Sequence, residues 1–144
     1  MQTNTQFASA IHMLALLALD EDEQVTSAEM ASSVNTNPAF LRRILGALSR
    51  AGLVESQPGA RGGWRLRRAP EDISLLTIYQ AVDEGHLLAM RHHTNPNCKI
   101  GGVIQSTLET YFGEAEAAFE RTLARQTLAQ VVATALATAS REAS

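Results

Sequence analysis

Between Asn37 and Arg67 the period of the apolar residues changes once, from helical to alternating, and few folds accommodate that change over so short a stretch. Phe40, Leu41, Ile44, Leu45 and Leu48 keep the 1, 4, 5, 8 spacing of a helix with one buried face. Asn37 before Pro38 pairs a capping side chain with a ring preset for the first helical position. Gly52 suits a left-handed helix end. Leu53-Val54-Glu55-Ser56 and Trp64-Arg65-Leu66-Arg67 then alternate as strands do, with the glycine-rich Gln57–Gly63 stretch between them. A helix running straight into a β-hairpin is the expectation.

The flanks extend this order. Asn4–Asp20 places Phe7, Ile11, Leu14 and Ala18 on one helical face, and an acidic run ends it. A short helix opens at Val25-Thr26-Ser27, with Thr26 or Ser27 as cap and Glu29 following, and runs to Val34. Beyond the hairpin, helix resumes at Ile73–Asp83, Glu84–Gly102 is irregular, Val103–Arg125 is a long helix and Thr127–Ser140 a last one. Low aromatic content (5%) and an apolar mass made mostly of Ala and Leu agree with helices. The expected fold class is mainly α with a small β-hairpin wing: a winged helix-turn-helix at 1–84, a variable sensor loop at 85–102, and a dimerisation helix with a C-terminal helix at 103–144.

The net charge of −3 argues against nucleic acid only while it is averaged. Residues 1–41 carry −5, residues 42–68 carry +6 with seven Arg and only Glu55 opposing, and residues 69–144 carry −4. All the excess positive charge falls on the second helix of the helix-turn-helix and on the wing, where such a fold meets double-stranded DNA. Asn37–Arg43 forms the reading segment, and arginine suits both phosphate and bidentate guanine contacts. The expected DNA-contacting set is Ser27, Thr36, Asn37, Pro38, Ala39, Arg42, Arg43 and Arg50, joined on the wing by Pro58, Arg61, Gly62, Gly63 and Arg65. In this reading the wing glycines let backbone approach the sugar-phosphate surface, and Arg61 enters a narrow minor groove. Arg67 and Arg68 add charge to the same element.

Composition limits the alternatives. A single cysteine, Cys98, excludes an intrachain disulfide and a four-cysteine metal cage. The longest apolar run, Ile11–Leu19, is too short to span a bilayer, and no signal peptide is evident, so no membrane partner and a cytoplasmic location are expected. No catalytic triad, phosphate loop or paired-carboxylate site is visible, which argues against an enzyme. The rival class is a small-molecule- or metal-binding protein on a winged scaffold, supported only by the His and Cys residues at 86–98.

The strings Ala10-Ile11-His12-Met13-Leu14, Leu41-Arg42-Arg43-Ile44-Leu45-Gly46-Ala47-Leu48, Ala51-Gly52-Leu53-Val54 and Gly59-Ala60-Arg61-Gly62-Gly63-Trp64 resemble the Rrf-two family of bacterial regulators. Ile73–Val82 resembles the helix after the wing in that family, and the similarity runs from about residue 5 to 130. The resemblance implies a homodimeric regulator, usually a repressor, on a palindromic operator, with Val103–Arg125 pairing the subunits. Ile104, Leu108, Tyr111, Phe112, Ala115, Phe119 and Leu123 are its expected dimerisation residues; packing points the same way, since so short a chain has little else to cover this helix. Three departures stand out. Cluster-binding members carry three cysteines where this chain has one, so no iron–sulfur cluster and no other cofactor is expected. Gln6 stands where many relatives have a basic residue, and Trp64 where they often have Tyr.

Cys98 has two readings. Asn95-Pro96-Asn97-Cys98 followed by Gly101 is similar to the cluster-free members, some of which sense oxidants or electrophiles through a thiol. Lys99, nearby His and the start of a helix would favour the thiolate. The other reading is a small buried hydrophobe at the root of the dimer helix. Zinc on His92, His93 and Cys98 lacks an evident fourth ligand. An organic effector could be lined by Tyr79, His86, Met90 and Tyr111.

Overall fold

The protein is represented by a computed structural model that describes residues 5–19, 24–59, 62–83, 87–88, 90 and 93–144. Helix α1, Gln6–Leu19, buries Ala10, Met13, Leu14 and Leu17, the inward stripe of its 3- and 4-residue steps. Helix α2, Ser27–Val34, starts from a reciprocal capping box. The Thr26 hydroxyl accepts from the Glu29 N–H at 3.1 Å, and the Glu29 carboxylate accepts from the Thr26 N–H at 2.8 Å. Asn35, in the left-handed region at φ 58°, ends it.

Helix α3, Pro38–Arg50, begins as its sequence requires, with Asn37 Oδ1 accepting from the Phe40 N–H at 2.9 Å and Pro38 in the first position. Leu41, Ile44, Leu45 and Leu48 are all buried. Each contributes roughly 1.5–3 kcal/mol by burial, far more than helix propensity could. Gly52 takes the left-handed turn at φ 76°, and the Leu53 N–H donates back to the Leu48 carbonyl at 3.0 Å.

Strand β1, Val54–Gln57, pairs antiparallel with β2, Gly63–Leu66, in the register Val54–Leu66, Glu55–Arg65, Ser56–Trp64 and Gln57–Gly63. Alternation alone places each strand one residue off. Leu53, tied back to α3, does not begin the ladder, and the added pair Gln57–Gly63 brings it closer to the turn. A bridge that the pattern does not announce joins Val25 to Trp64, their N–H groups donating to each other's carbonyls at 3.3 and 2.9 Å. Strand β2 is thereby fastened to the segment leading into α2.

Pro70–Asp72 forms a 3₁₀ turn, and Ser74 caps α4, Leu75–Val82, so this helix starts later than its apolar residues suggest. Helix α5 is Ile104–Ala124 and α6 is Leu128–Glu142. The α5–α6 corner returns to the start of α4: the Leu75 N–H donates to Gln126 and the Leu128 N–H to Ile73, at 2.8 and 2.9 Å. Helix α6 then lies along α1. One apolar core runs from Ala10 to Leu128 and draws on the helix-turn-helix, β1, α4 and the α5–α6 corner. Among the described residues, helix α5 joins it through its last turns, where Leu123 is buried and Phe119 packs on Tyr79.

Candidate nucleic-acid interface

The buried stripe of α3 forces its other residues outward. Pro38, Ala39, Arg42, Arg43 and Arg50 are all exposed and, at 100° per residue, fall on one broad face with Gly46 among them. The Arg50 guanidinium lies across Gly46, where a Cβ would meet its Nη1 at 3.3 Å. Thr36 is half-buried. Asn37 is exposed but its oxygen is committed to the cap, so its amide N–H₂ remains as a donor. Ser27 opens α2, is exposed, and its hydroxyl oxygen accepts from the Trp64 indole N–H at 3.2 Å. That acceptance leaves the Ser27 O–H available to donate.

On the wing, Pro58 is exposed, and Arg61 lies outside the described residues. The wing glycines also have a reason within the chain. A Cβ on Gly62 would sit 2.7 Å from the Gln57 carbonyl oxygen and 2.9 Å from that of Gly59; one on Gly63 would sit 2.9 Å from the Val25 carbonyl oxygen. Close packing within the hairpin and against Val25 demands them. Arg65 is exposed but paired: its Nε donates to Glu55 Oε1 at 2.5 Å, and Arg67 Nε lies 3.6 Å from Glu55 Oε2. The composition-based reading missed this pairing. The register Glu55–Arg65 would have revealed it, because opposed residues on one sheet face touch.

The long helix divides into two parts. Leu123 and Phe119 belong to the chain's own core. Ile104, Leu108 and Phe112 are half-buried, while Tyr111 and Ala115 are exposed, Tyr111 by 65%. Ile104, Leu108, Tyr111, Phe112 and Ala115 share one side of α5, and none of them belongs to the core cluster.

Cys98 is exposed within the single chain. Its turn is tightly knit: the Cys98 N–H donates to Asn95, the Gly102 N–H donates to Cys98, and the Thr94 hydroxyl donates to the Gly101 carbonyl at 2.6 Å. Hydrogen bonds from the Gly101 and then the Ile100 backbone N–H groups hold the thiol below its ordinary pKa. The cause is thus the turn's own amides. His93 is exposed at φ 65°, and His86 and His92 lie outside the described residues. Among the described residues no three His, Cys, Asp or Glu side chains gather as a metal site. The Tyr79 ring is packed edge-on between Phe7 and Phe119, at centroid distances of 5.2 and 5.1 Å. Burial and then the Asp83 carboxylate push its hydroxyl up to about 12. Tyr111 lies about two turns along α5 from Phe119, which packs on Tyr79. No helix among the described residues is long and apolar enough to cross a membrane.

Residues 3–134 match the family described as "Rrf2: Iron-dependent Transcriptional regulator". YwnA of Bacillus subtilis, whose name places it among HTH-type transcriptional regulators, is 38% identical over 130 residues, covering 90% of this chain and 96% of YwnA. The HTH-type transcriptional regulator NsrR of Halalkalibacterium halodurans is 27% identical over 119 residues, covering 77% of this chain and 82% of NsrR. A solved structure described as a DNA-binding protein superposes with a TM-score of 0.72 at 37% identity, covering 88% of this chain and 97% of that one. The iron in the family's description does not fit this chain as a cysteine-held cluster, because Cys98 is its single thiol and stands exposed on a turn. A winged-helix fold, an exposed arginine face and a family match over nearly the whole length together identify this chain as a member of the Rrf2 family, DNA-binding transcriptional regulators rather than enzymes.

Proposed function

We propose that the protein is a homodimeric cytoplasmic repressor that binds a palindromic operator and releases it when Cys98 is oxidised or alkylated. The observation that carries the DNA-facing part is the exposed face of α3, where Arg42, Arg43 and Arg50 stand above a fully buried stripe. A rigid, buried back fixes where the cationic front points. The apolar side of α5 outside the core supports pairing of two copies, which would present two reading helices to half-sites about one helical turn apart. Arg42 and Ala39, near the start of α3, are the base-reading candidates; Arg43, Arg50, Ser27 and the wing arginines hold phosphates. The division into winged part, loop 85–102 and dimer helix is a functional one, since the last helices share the core.

For the signal, a peroxide serves as the simplest oxidant. The Cys98 thiolate attacks one peroxide oxygen, the O–O bond breaks, hydroxide leaves, and sulfur is oxidised by two electrons to the sulfenic acid. The Cys98 turn leads directly into α5, so added bulk there acts on the helix that pairs the subunits. The test is selection of binding sites from random duplex DNA, then titration of the selected duplex with and without hydrogen peroxide. The expected outcome is a palindrome whose affinity falls on peroxide treatment of the wild type and is unmoved in Cys98→Ser. An equal response in both proteins would remove Cys98 from the mechanism. Selection that yields no palindrome would overturn the dimeric reading.

A further inference from the structure

The single acid within the basic segment sits on the DNA-facing hairpin and touches two of its arginines. Glu55 Oε1 accepts from Arg65 Nε at 2.5 Å, and Glu55 Oε2 lies 3.6 Å from Arg67 Nε. With its amide oxygen turned towards Arg65, Gln57 also accepts from that guanidinium, at 2.8 Å from Nε and 3.1 Å from Nη2. Both contacts of Glu55 use the Nε edge. A guanidinium has two edges able to bind an oxyanion in bidentate fashion, and the terminal Nη1/Nη2 edge is the other. Among the described residues no contact of Glu55 engages that edge of either arginine. Both side chains are about half exposed, at 51% and 54%.

We propose that Glu55 is a positioning residue of the wing: by holding Arg65 and Arg67 through their Nε edges, it presents the terminal edges of both together to the DNA backbone. The inference rests on the reading of this hairpin as a DNA contact. Charge alone would remove an acid from this place, since it opposes the attraction of a polyanion. Fold stability does not require it either, because an exposed ion pair contributes little and β2 is already held by the Val25–Trp64 bridge. What the pair supplies is order. A free arginine loses rotamer freedom when it grips a phosphate, and one held beforehand loses less. Arg65 lies in β2 and Arg67 just beyond its end, and both reach the one carboxylate of Glu55, so the two guanidinium groups stand on the same side of the hairpin.

The test uses the full-length protein, a duplex selected by the wild type, and poly(dI-dC) as non-specific DNA. Glu55→Gln removes a negative charge, yet it is expected to bind the selected duplex about 3- to 10-fold more weakly while its poly(dI-dC) affinity is equal or higher. Glu55→Asp keeps the charge but shortens the reach and is expected to lose specific affinity too, a change that bulk charge would not produce. Tighter binding of Glu55→Gln to both DNAs by one common factor would make Glu55 a simple electrostatic brake and overturn the proposal. Unchanged binding of both variants would also overturn it. The Arg65→Ala/Arg67→Ala double variant separates the two levels. Its binding and salt dependence unchanged would refute the wing contact itself, whereas its weakening beside an unaffected Glu55→Gln would refute only the positioning role.

Discussion

Arg42→Ala should weaken binding to the selected duplex by about 1–3 kcal/mol, roughly 5- to 150-fold, and relax base preference at one position of each half-site. Arg42 lies one turn into α3 on its exposed face, where a recognition helix reaches base edges, and its position is fixed by Leu41 beside it, only 1% exposed. Removing a bidentate donor pair leaves the base acceptors facing water and erases discrimination along with affinity. Titrations at several salt concentrations with cognate and single-mismatch duplexes separate this from a phosphate contact. A phosphate-only role would weaken all duplexes alike and reduce the salt slope by about one ion, without changing preference. Uniform loss would therefore transfer the reading role from Arg42 to another residue of the same face. No loss at all would remove α3 as the reading helix.

Why α3 was legible in sequence while the wing's details were not follows from the range of the interactions. The cap at Asn37, Pro38 in the first turn, the stripe Leu41–Leu48 and left-handed Gly52 are all local, and each arose where its chemistry placed it. The hairpin ends, the Val25–Trp64 bridge and the hold of Glu55 on two arginines depend on register, which alternation leaves uncertain by one residue. The wing glycines show the difference well. Their presence was legible, but the neighbouring carbonyl oxygens that exclude a side chain come partly from Val25, far away in sequence. Helix α5 is a similar case. Its apolar residues form one periodic series in the sequence, but among the described residues the corner with α6 draws Phe119 and Leu123 alone into the core. Cys98 was legible as a chemical group; its exposure and the amides that favour its thiolate are properties of the turn.

That division of α5 makes Leu108→Glu the sharpest test of assembly. Leu108 is half-buried, lies outside the core cluster and shares its side of the helix with Ile104, Tyr111, Phe112 and Ala115. In a two-fold dimer the same patch meets itself, so one substitution puts two carboxylates into one apolar contact. Burying an unpaired charge there is prohibitive, and the expected result is a monomer in sedimentation velocity at micromolar concentration. Thermal unfolding of that monomer should remain cooperative, because no fully buried side chain has been removed. Leu123→Ala is unsuitable for the same purpose: its side chain is in the core, and truncation costs about 2–5 kcal/mol of stability whatever the oligomeric state. Operator binding supplies the second measurement. A monomer reaches only one half-site and loses the effective concentration that the first contact gives the second, so affinity for the palindrome should fall by about 10²-fold or more. A Leu108→Glu protein that still sediments as a dimer would move the interface off this side of α5. A monomer that still held the palindrome with full affinity would show instead that one reading helix and one wing suffice.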